Sequence, residues 1–202
     1  MAFAASAPRV LVDVLPTSRA RNAVLVAAGT ALIAAAAQVA IPLPFSPVPL
    51  TGQTLAVLSV GALLGTSRAM LSTALYLAAA LAGLPVLAPT ADGSHLTGSS
   101  VLGMPTLGYV IGFIAASALV GRLAELGSTR TPLRTAATMA AGNLVIYSVG
   151  VPVLALVTGA GLGSAIEWGL APFLLGDLLK IVLAAGLFPA AWAIVRKFDQ
   201  TS

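Results

Sequence analysis

Asp177 and Lys180 are three residues apart within 172–195, a stretch that is otherwise almost wholly apolar. On a helix that spacing puts both head groups on one face, within reach of each other and of anything bound beside them. An ionisable side chain at membrane depth costs about 2.5–3.5 kcal/mol on insertion scales, so an intramembrane pair marks a functional site by default. A carboxylate and an ammonium together are nearly neutral, and they present acceptors and donors side by side. Gln53, Thr54, Tyr109, Asn143 and Tyr147 add neutral hydrogen-bonding groups, and Leu, Val, Ala and Phe173 complete an apolar lining. This inventory suits a small ligand with a polar end and an apolar body. Simpler readings stand beside it: a structural ion pair for Asp177 and Lys180, interhelical hydrogen bonds for Asn143 and Gln53, interfacial aromatics for both tyrosines. His95 reads as a solvated loop residue and Arg68 as an interfacial anchor.

The elements that must position these groups are membrane helices. Of the 202 residues 58% are hydrophobic and 8% charged, with a mean hydropathy of +1.02; a soluble domain carries roughly 25% charged residues. The apolar runs are rich in Ala, Gly and Leu without alternation, which favours helices over a transmembrane barrel. The fold class expected is an all-α polytopic membrane protein with six transmembrane helices, over 22–41, 51–65, 68–83, 105–126, 132–158 and 172–195. Prolines between Pro42 and Pro49 predict an extended loop after the first span. The second span is short and must borrow length from that loop. A long polar loop, 84–104, contains Asp92, His95 and a Gly/Ser stretch at 98–100. Pro105 suits the first turn of the fourth span. Gly150-Val151-Pro152 predicts a break in the fifth, and a short loop with Glu167 and Trp168 leads to the sixth.

Charge tests this parse. One side of the six-span arrangement holds Arg9, Arg19, Arg21, Arg68, Arg122, Arg130, Arg134, Arg196 and Lys197, and the other holds no Lys or Arg. That bias places both termini in the cytoplasm, with 1–21 as a cytoplasmic N-terminal segment, 22–197 as the membrane domain and 198–202 as a cytoplasmic tail. Asp177 and Lys180 then lie about 8 and 12 Å below the outer start of their helix. Gln53 and Thr54 open the second span from the same side, Tyr109 is in the first outer turn of the fourth, Asn143 and Tyr147 lie mid-to-outer in the fifth, and Tyr76 is mid-membrane in the third. The cytoplasmic halves hold few such groups, so a cavity open to the outer side fits better than a channel.

Several classes are excluded or disfavoured. There is no cysteine and one histidine, which disfavours disulfides and thiolate or histidine metal sites. No P-loop pattern is present and no catalytic triad or carboxylate pair is apparent, so the chain reads as a non-enzyme that needs no cofactor of its own. The basic pI reflects arginines at helix ends, not nucleic-acid binding. The first sixteen residues, with Pro8, Arg9, Asp13 and Pro16, lack the apolar core of a removable leader. In the first span Ala27, Ala31 and Ala35 recur at every fourth position, beside a second stripe of Ala28, Leu32, Ala36 and Ala40. Small faces of this kind allow close helix approach. They serve either packing inside the bundle or docking of another membrane subunit.

Five runs also carry a resemblance. They are Pro47-Val48-Pro49-Leu50-Thr51-Gly52-Gln53-Thr54; Ala82-Gly83-Leu84-Pro85-Val86; Gly108-Tyr109 to Gly112-Phe113; Ile146-Tyr147 with Gly150-Val151-Pro152; and Pro172-Phe173 with Gly176-Asp177-Leu178-Leu179-Lys180. In this order they resemble the BioY family, the biotin-capturing membrane subunits (S components) of energy-coupling factor transporters. The resemblance implies high-affinity biotin capture in the cytoplasmic membrane of a prokaryote. It also implies partnership with a membrane coupling subunit (T component) and two cytoplasmic ATPases that use the ATP. Within it, the Ala27/Ala31/Ala35 stripe would dock the coupling subunit, and Asp177 would accept from a ureido N–H. Lys180 and Asn143 would donate toward the ureido carbonyl or keep Asp177 ionised, and Gln53, Tyr109 and the loop after the third span would meet the tail. The reverse placement, Lys180 on the carboxylate, stays open. The chain departs from the family pattern at Leu175, at Thr66-Ser67-Arg68-Ala69-Met70 and in the more polar loop 90–100. Rival readings are an S component for another vitamin, an ion-coupled secondary transporter using Asp177 and Lys180, and a structural subunit.

Overall fold

The computed structural model describes residues 10–14 and 18–201, and of 198–201 the backbone alone. Pro8, Arg9 and Pro16 lie outside the described residues, as do most of 1–21 and the end of the tail. The chain forms α1 (Arg19–Gln38), β1 (Ala40–Leu43), β2 (Ser46–Thr51), α2 (Gln53–Leu64), α3 (Thr66–Leu81), α4 (Leu107–Glu125), α5 (Pro132–Thr158), α6 (Leu162–Gly169) and α7 (Leu174–Thr201). It is a mostly helical, membrane-protein-like bundle. The helices α1, α4 and α5 and the segment Leu162–Lys197 are long and apolar enough to cross a membrane. By contrast α2 and α3, of 12 and 16 residues, reach only about 18 and 24 Å at 1.5 Å per residue, short of a hydrocarbon core of about 30 Å.

Four local expectations are corrected. The proline-rich segment after α1 is an antiparallel hairpin rather than a loop, pairing Ala40 with Thr51, Ile41 with Leu50 and Leu43 with Ser46. The register slips between Ile41 and Leu43, where Pro42 has no N–H to give the ladder. Second, α5 runs unbroken through Pro152. Proline costs one ladder bond, but Ile146, Tyr147, Gly150, Val151 and Leu154 bury the same face, and that packing outweighs the loss. Third, Glu167 and Trp168 belong to a helix, α6, not to a loop. Pro105 also precedes the first turn of α4 instead of lying within it.

The bundle closes around α4, which packs on α2, α3 and α5, while α1 covers α2 and α3, and α7 lies on α5 and α2. Small residues set the spacing. A Cβ on Gly121 of α4 would come within 2.6 Å of the Gly65 and Thr66 backbone. Gly65 itself holds φ +79 between α2 and α3, a conformation that favours glycine. Glu125, at the end of α4, accepts from the Thr66 amide at 2.8 Å and so caps α3 from a neighbouring helix.

That end of the bundle collects most of the basic residues. Arg68 is more than an interfacial anchor: it pairs with Asp13 at 2.7 Å and donates to the Leu64 carbonyl at 2.7 Å and to Asn22 at 3.4 Å. The turn at Leu11–Val14 is thereby fixed to the α2–α3 connection, with Val10 buried beneath it. Trp192 of α7 donates to Thr129 at 3.1 Å, and Arg130 covers its ring. The hairpin, the residues 82–106 and α6 occupy the opposite end. Gly121→Ala is expected to lose about 1–3 kcal/mol by overpacking against backbone. Gly186→Ala meets nothing within 4 Å and should gain about 0.5–1 kcal/mol. Thermal unfolding in detergent checks both, and equal midpoints would contradict this account of the α4 crossing.

Candidate functional site

Asp177 lies in the first turn of α7 and Lys180 one turn further on, both on the inward face. Leu174, Leu175, Leu178, Leu179 and Val182 of the same helix are exposed on the apolar outer surface. Asp177 is 4% exposed, and its Oδ1 accepts from Lys180 Nζ at 3.3 Å and from the Thr54 hydroxyl at 3.2 Å. Its Oδ2 accepts from the Tyr147 hydroxyl. Lys180 Nζ also donates to Thr54 Oγ1 at 2.7 Å and to the Thr51 carbonyl at 3.0 Å. One ion pair therefore joins α7 to α5, to α2 and to the end of β2. A buried pair is favourable only when its remaining donors and acceptors are met in this way.

Beside this knot is a cavity of about 350 Å³. Thr51, Gln53, Thr54, Tyr76, Tyr147 and Lys180 supply its polar wall, and Val110, Phe113, Ile146 and Phe173 its apolar one. The hairpin, through Pro42, Pro47 and Pro49, and the segment from Leu87 to Ala91 cover it. Bond directions decide what the wall offers. Tyr147 gives its proton to Asp177, so its oxygen is left as an acceptor. Gln53 Nε2 donates to the Tyr76 hydroxyl at 2.8 Å, which leaves the Tyr76 proton free to donate into the cavity. The wall thus offers both an acceptor and a donor to a mainly apolar space.

Of the residues singled out by sequence, Gln53, Thr54, Tyr109, Tyr147 and Lys180 reach the lining, and Asp177 stands directly behind Tyr147, Thr54 and Lys180. Asn143 is not brought there. It is buried beside a separate void of about 10 Å³ with Thr54, Met139 and Lys180, and its Oδ1 has no hydrogen-bond partner. Tyr109 does double duty, since its hydroxyl donates to the Gly169 carbonyl at 2.9 Å and its ring meets Tyr147 edge-on at 6.4 Å. A Cβ at Gly150 would lie 2.4 Å from that ring and one at Gly169 2.0 Å from its hydroxyl, so both glycines make room for Tyr109. Ser46 of the hairpin donates to the Trp168 carbonyl at 2.7 Å. Both ties seat α6 against the cavity.

Tyr76 was absent from the sequence-derived set. Its signal was available, a polar group in the middle of an apolar span, but only the fold shows that it meets Gln53. His95 is half-buried, with Nδ1 2.8 Å from the Leu87 carbonyl, and so is not simply solvated. Gln38 Nε2 approaches the same carbonyl at 3.4 Å, which fixes the covering segment from two sides. On α1 the inward residues are Gly29, Ile33 and Ala37. Ala27, Ala31 and Ala35 are exposed, so the reading of that stripe as internal packing is overturned.

The BioY family model matches residues 9–197. The chain is 34% identical over 173 residues to the biotin transporter BioY of Rhizobium etli, covering 82% of this chain and 89% of that one. It is 37% identical over 175 residues to the biotin transporter BioY of Rhodobacter capsulatus, covering 81% and 88% respectively. A crystal structure of the S-component for biotin from an ECF-type ABC transporter superposes with a TM-score of 0.74 at 26% identity, over 90% of this chain and 95% of that one.

Proposed function

The chain belongs to the BioY family, and from that membership we propose that it captures biotin as the substrate-specific subunit of an ECF-type transporter. The observation that carries the reading is the Asp177–Lys180 knot beside a mainly apolar cavity of about 350 Å³. Biotin has a ureido head with two N–H donors and a carbonyl, an apolar thioether ring and an acidic tail. Its N–H groups donate to the Tyr147 oxygen and toward Asp177, and its carbonyl accepts from Tyr76. Thr54 and Lys180 hold Asp177 ionised and in place, and Gln53 orients Tyr76. Tyr109 and the covering segment bound the tail. Asn143 acts at the neighbouring void, through Thr54 and Lys180, and not on the ligand.

The same proposal includes six membrane crossings, made by α1 to α5 and α7, with the hairpin lengthening α2 across the outer layer. The basic end lies in the cytoplasm of a prokaryotic cell by the positive-inside rule, and the cavity faces out. Uptake then requires a membrane coupling subunit and two cytoplasmic ATPases, because this chain has no P-loop of its own. The exposed Ala27/Ala31/Ala35 stripe is the face on which the coupling subunit packs, since small side chains admit close backbone approach.

Isothermal titration of the purified chain tests the site. Asp177→Asn and Lys180→Ala each disturb the bonds that set the Tyr147 oxygen beside the cavity, and a ligand head left without its partner costs about 1–3 kcal/mol, so biotin affinity should fall by about fivefold to a hundredfold. Unchanged affinity in both variants would reject the site. Docking is tested separately by Ala31→Leu, which should abolish co-purification with the coupling subunit while biotin still binds. Retention of the subunit would remove the stripe from the account.

A further inference from the structure

The cavity reaches the surface beside Pro42, Pro47 and Ala91, which are exposed members of its lining. The three connections at this end, residues 39–52, 82–106 and 159–173, contain no lysine or arginine; their ionisable residues are Asp92, Glu167 and His95. Asp92 follows Thr90 and Ala91, both of which line the cavity. Its Oδ1 accepts from the Thr90 hydroxyl, from the Ser94 hydroxyl at 2.9 Å and from the Ser94 amide at 3.3 Å. These bonds, that of Thr90 foremost, hold its carboxyl below the usual carboxylate range, so it is ionised at neutral pH. Glu167 is exposed on α6, two residues before Gly169 of the lining. His95 is outside the lining, turned to the Leu87 carbonyl. The charged group set beside the lining at this end is therefore the Asp92 carboxylate, on Thr90, and these connections bring no cation to where a ligand's tail emerges.

At the other end of the cavity, Lys180 is the only cation on the lining among the described residues. Its three N–H groups already meet Thr51, Thr54 and Asp177. A ligand carboxylate placed there would have to displace one of these partners and then lie against the Asp177 carboxylate. Like charges in contact cost several kcal/mol at a desolvated interface. A negative tail thus finds a free cation neither at the base nor at the rim.

Taking the biotin reading as its premise, we propose that this cavity selects the ureido head and not the tail charge, so that neutral tail derivatives of biotin, amides and esters, are ligands on a par with the acid. Apolar and hydrogen-bonding surfaces hold the head and ring, while the tail end meets Pro, Ala, Leu and Met side chains, the uncharged hydroxyls of Ser46, Thr90 and Thr106, and no cation.

Isothermal titration of the full-length chain in detergent with biotin, biotinamide and biotin methyl ester tests this directly. The expected result is that both neutral compounds bind within about fivefold of biotin, under 1 kcal/mol apart. Weaker binding of the neutral pair by more than that overturns the inference while leaving the biotin reading intact. If none of the three binds, the biotin reading itself fails and the inference falls with it. Asp92→Lys supplies the rim with the missing cation. It should favour biotin over biotinamide by about twofold to fivefold at low salt, the size of an exposed ion pair, and the preference should fade in high salt. An acid-to-amide ratio unmoved by that substitution counts against the inference.

Discussion

The structure depends on how one carboxylate and one ammonium are satisfied away from water. Either charge alone in this apolar helix would carry a desolvation cost that nothing nearby repays. The pair meets it by drawing partners from separate elements: Thr54 from α2, Tyr147 from α5 and the Thr51 carbonyl from the end of the hairpin. Satisfying the charges therefore fixes the relative positions of three helices. The cavity wall is the outer surface of that arrangement. Tyr147 is oriented by Asp177, and its lone pairs are thereby left free beside the cavity. Bundle assembly and the proposed binding site rest on one set of hydrogen bonds.

The two ends of the bundle are built by different means. At the basic end, charge and close backbone contact hold the chain, through Arg68 with Asp13, Glu125 on the start of α3, and Gly121 against Gly65 and Thr66. At the cavity end few charges are present, and single hydrogen bonds to main-chain carbonyls do the fastening. Tyr109 reaches Gly169, Ser46 reaches Trp168, and Gln38 and His95 reach Leu87. Each is worth about 1 kcal/mol net. A cover fastened by a few such bonds opens at modest cost, whereas the opposite end is cross-braced. That contrast suits the one-sided entry proposed above.

Much of this was legible in the chain itself. The i to i+3 spacing of Asp177 and Lys180 is a local signal, and so is each apolar run, because both depend on neighbours in sequence. The misreadings have physical causes. Prolines at 42, 47 and 49 look like loop, yet edge positions in a two-stranded hairpin tolerate a missing N–H. Pro152 looks like a helix break, but burial of the surrounding face on α4 outweighs one lost ladder bond. Gln53 with Tyr76, and Tyr109 with Gly169, are pairings over long chain separations. No periodicity encodes them. The alanine stripe on α1 was ambiguous because composition is silent on which face is covered; only the burial of Gly29, Ile33 and Ala37 decides that Ala31 points away.

The chain has two lysines, Lys180 and Lys197, and Lys197 lies far along α7 from the cavity. Isotope labelling at lysine Nζ is therefore close to a single-site probe of the buried pair. The most direct test is dipolar recoupling by solid-state NMR between that nitrogen and biotin labelled in turn at its ureido carbon and its carboxyl carbon. The account predicts that the ureido carbon is dephased by the lysine nitrogen and the carboxyl carbon is not. Dephasing of the carboxyl carbon, or of neither, would contradict the claim that this acid–base knot grips the head of the ligand.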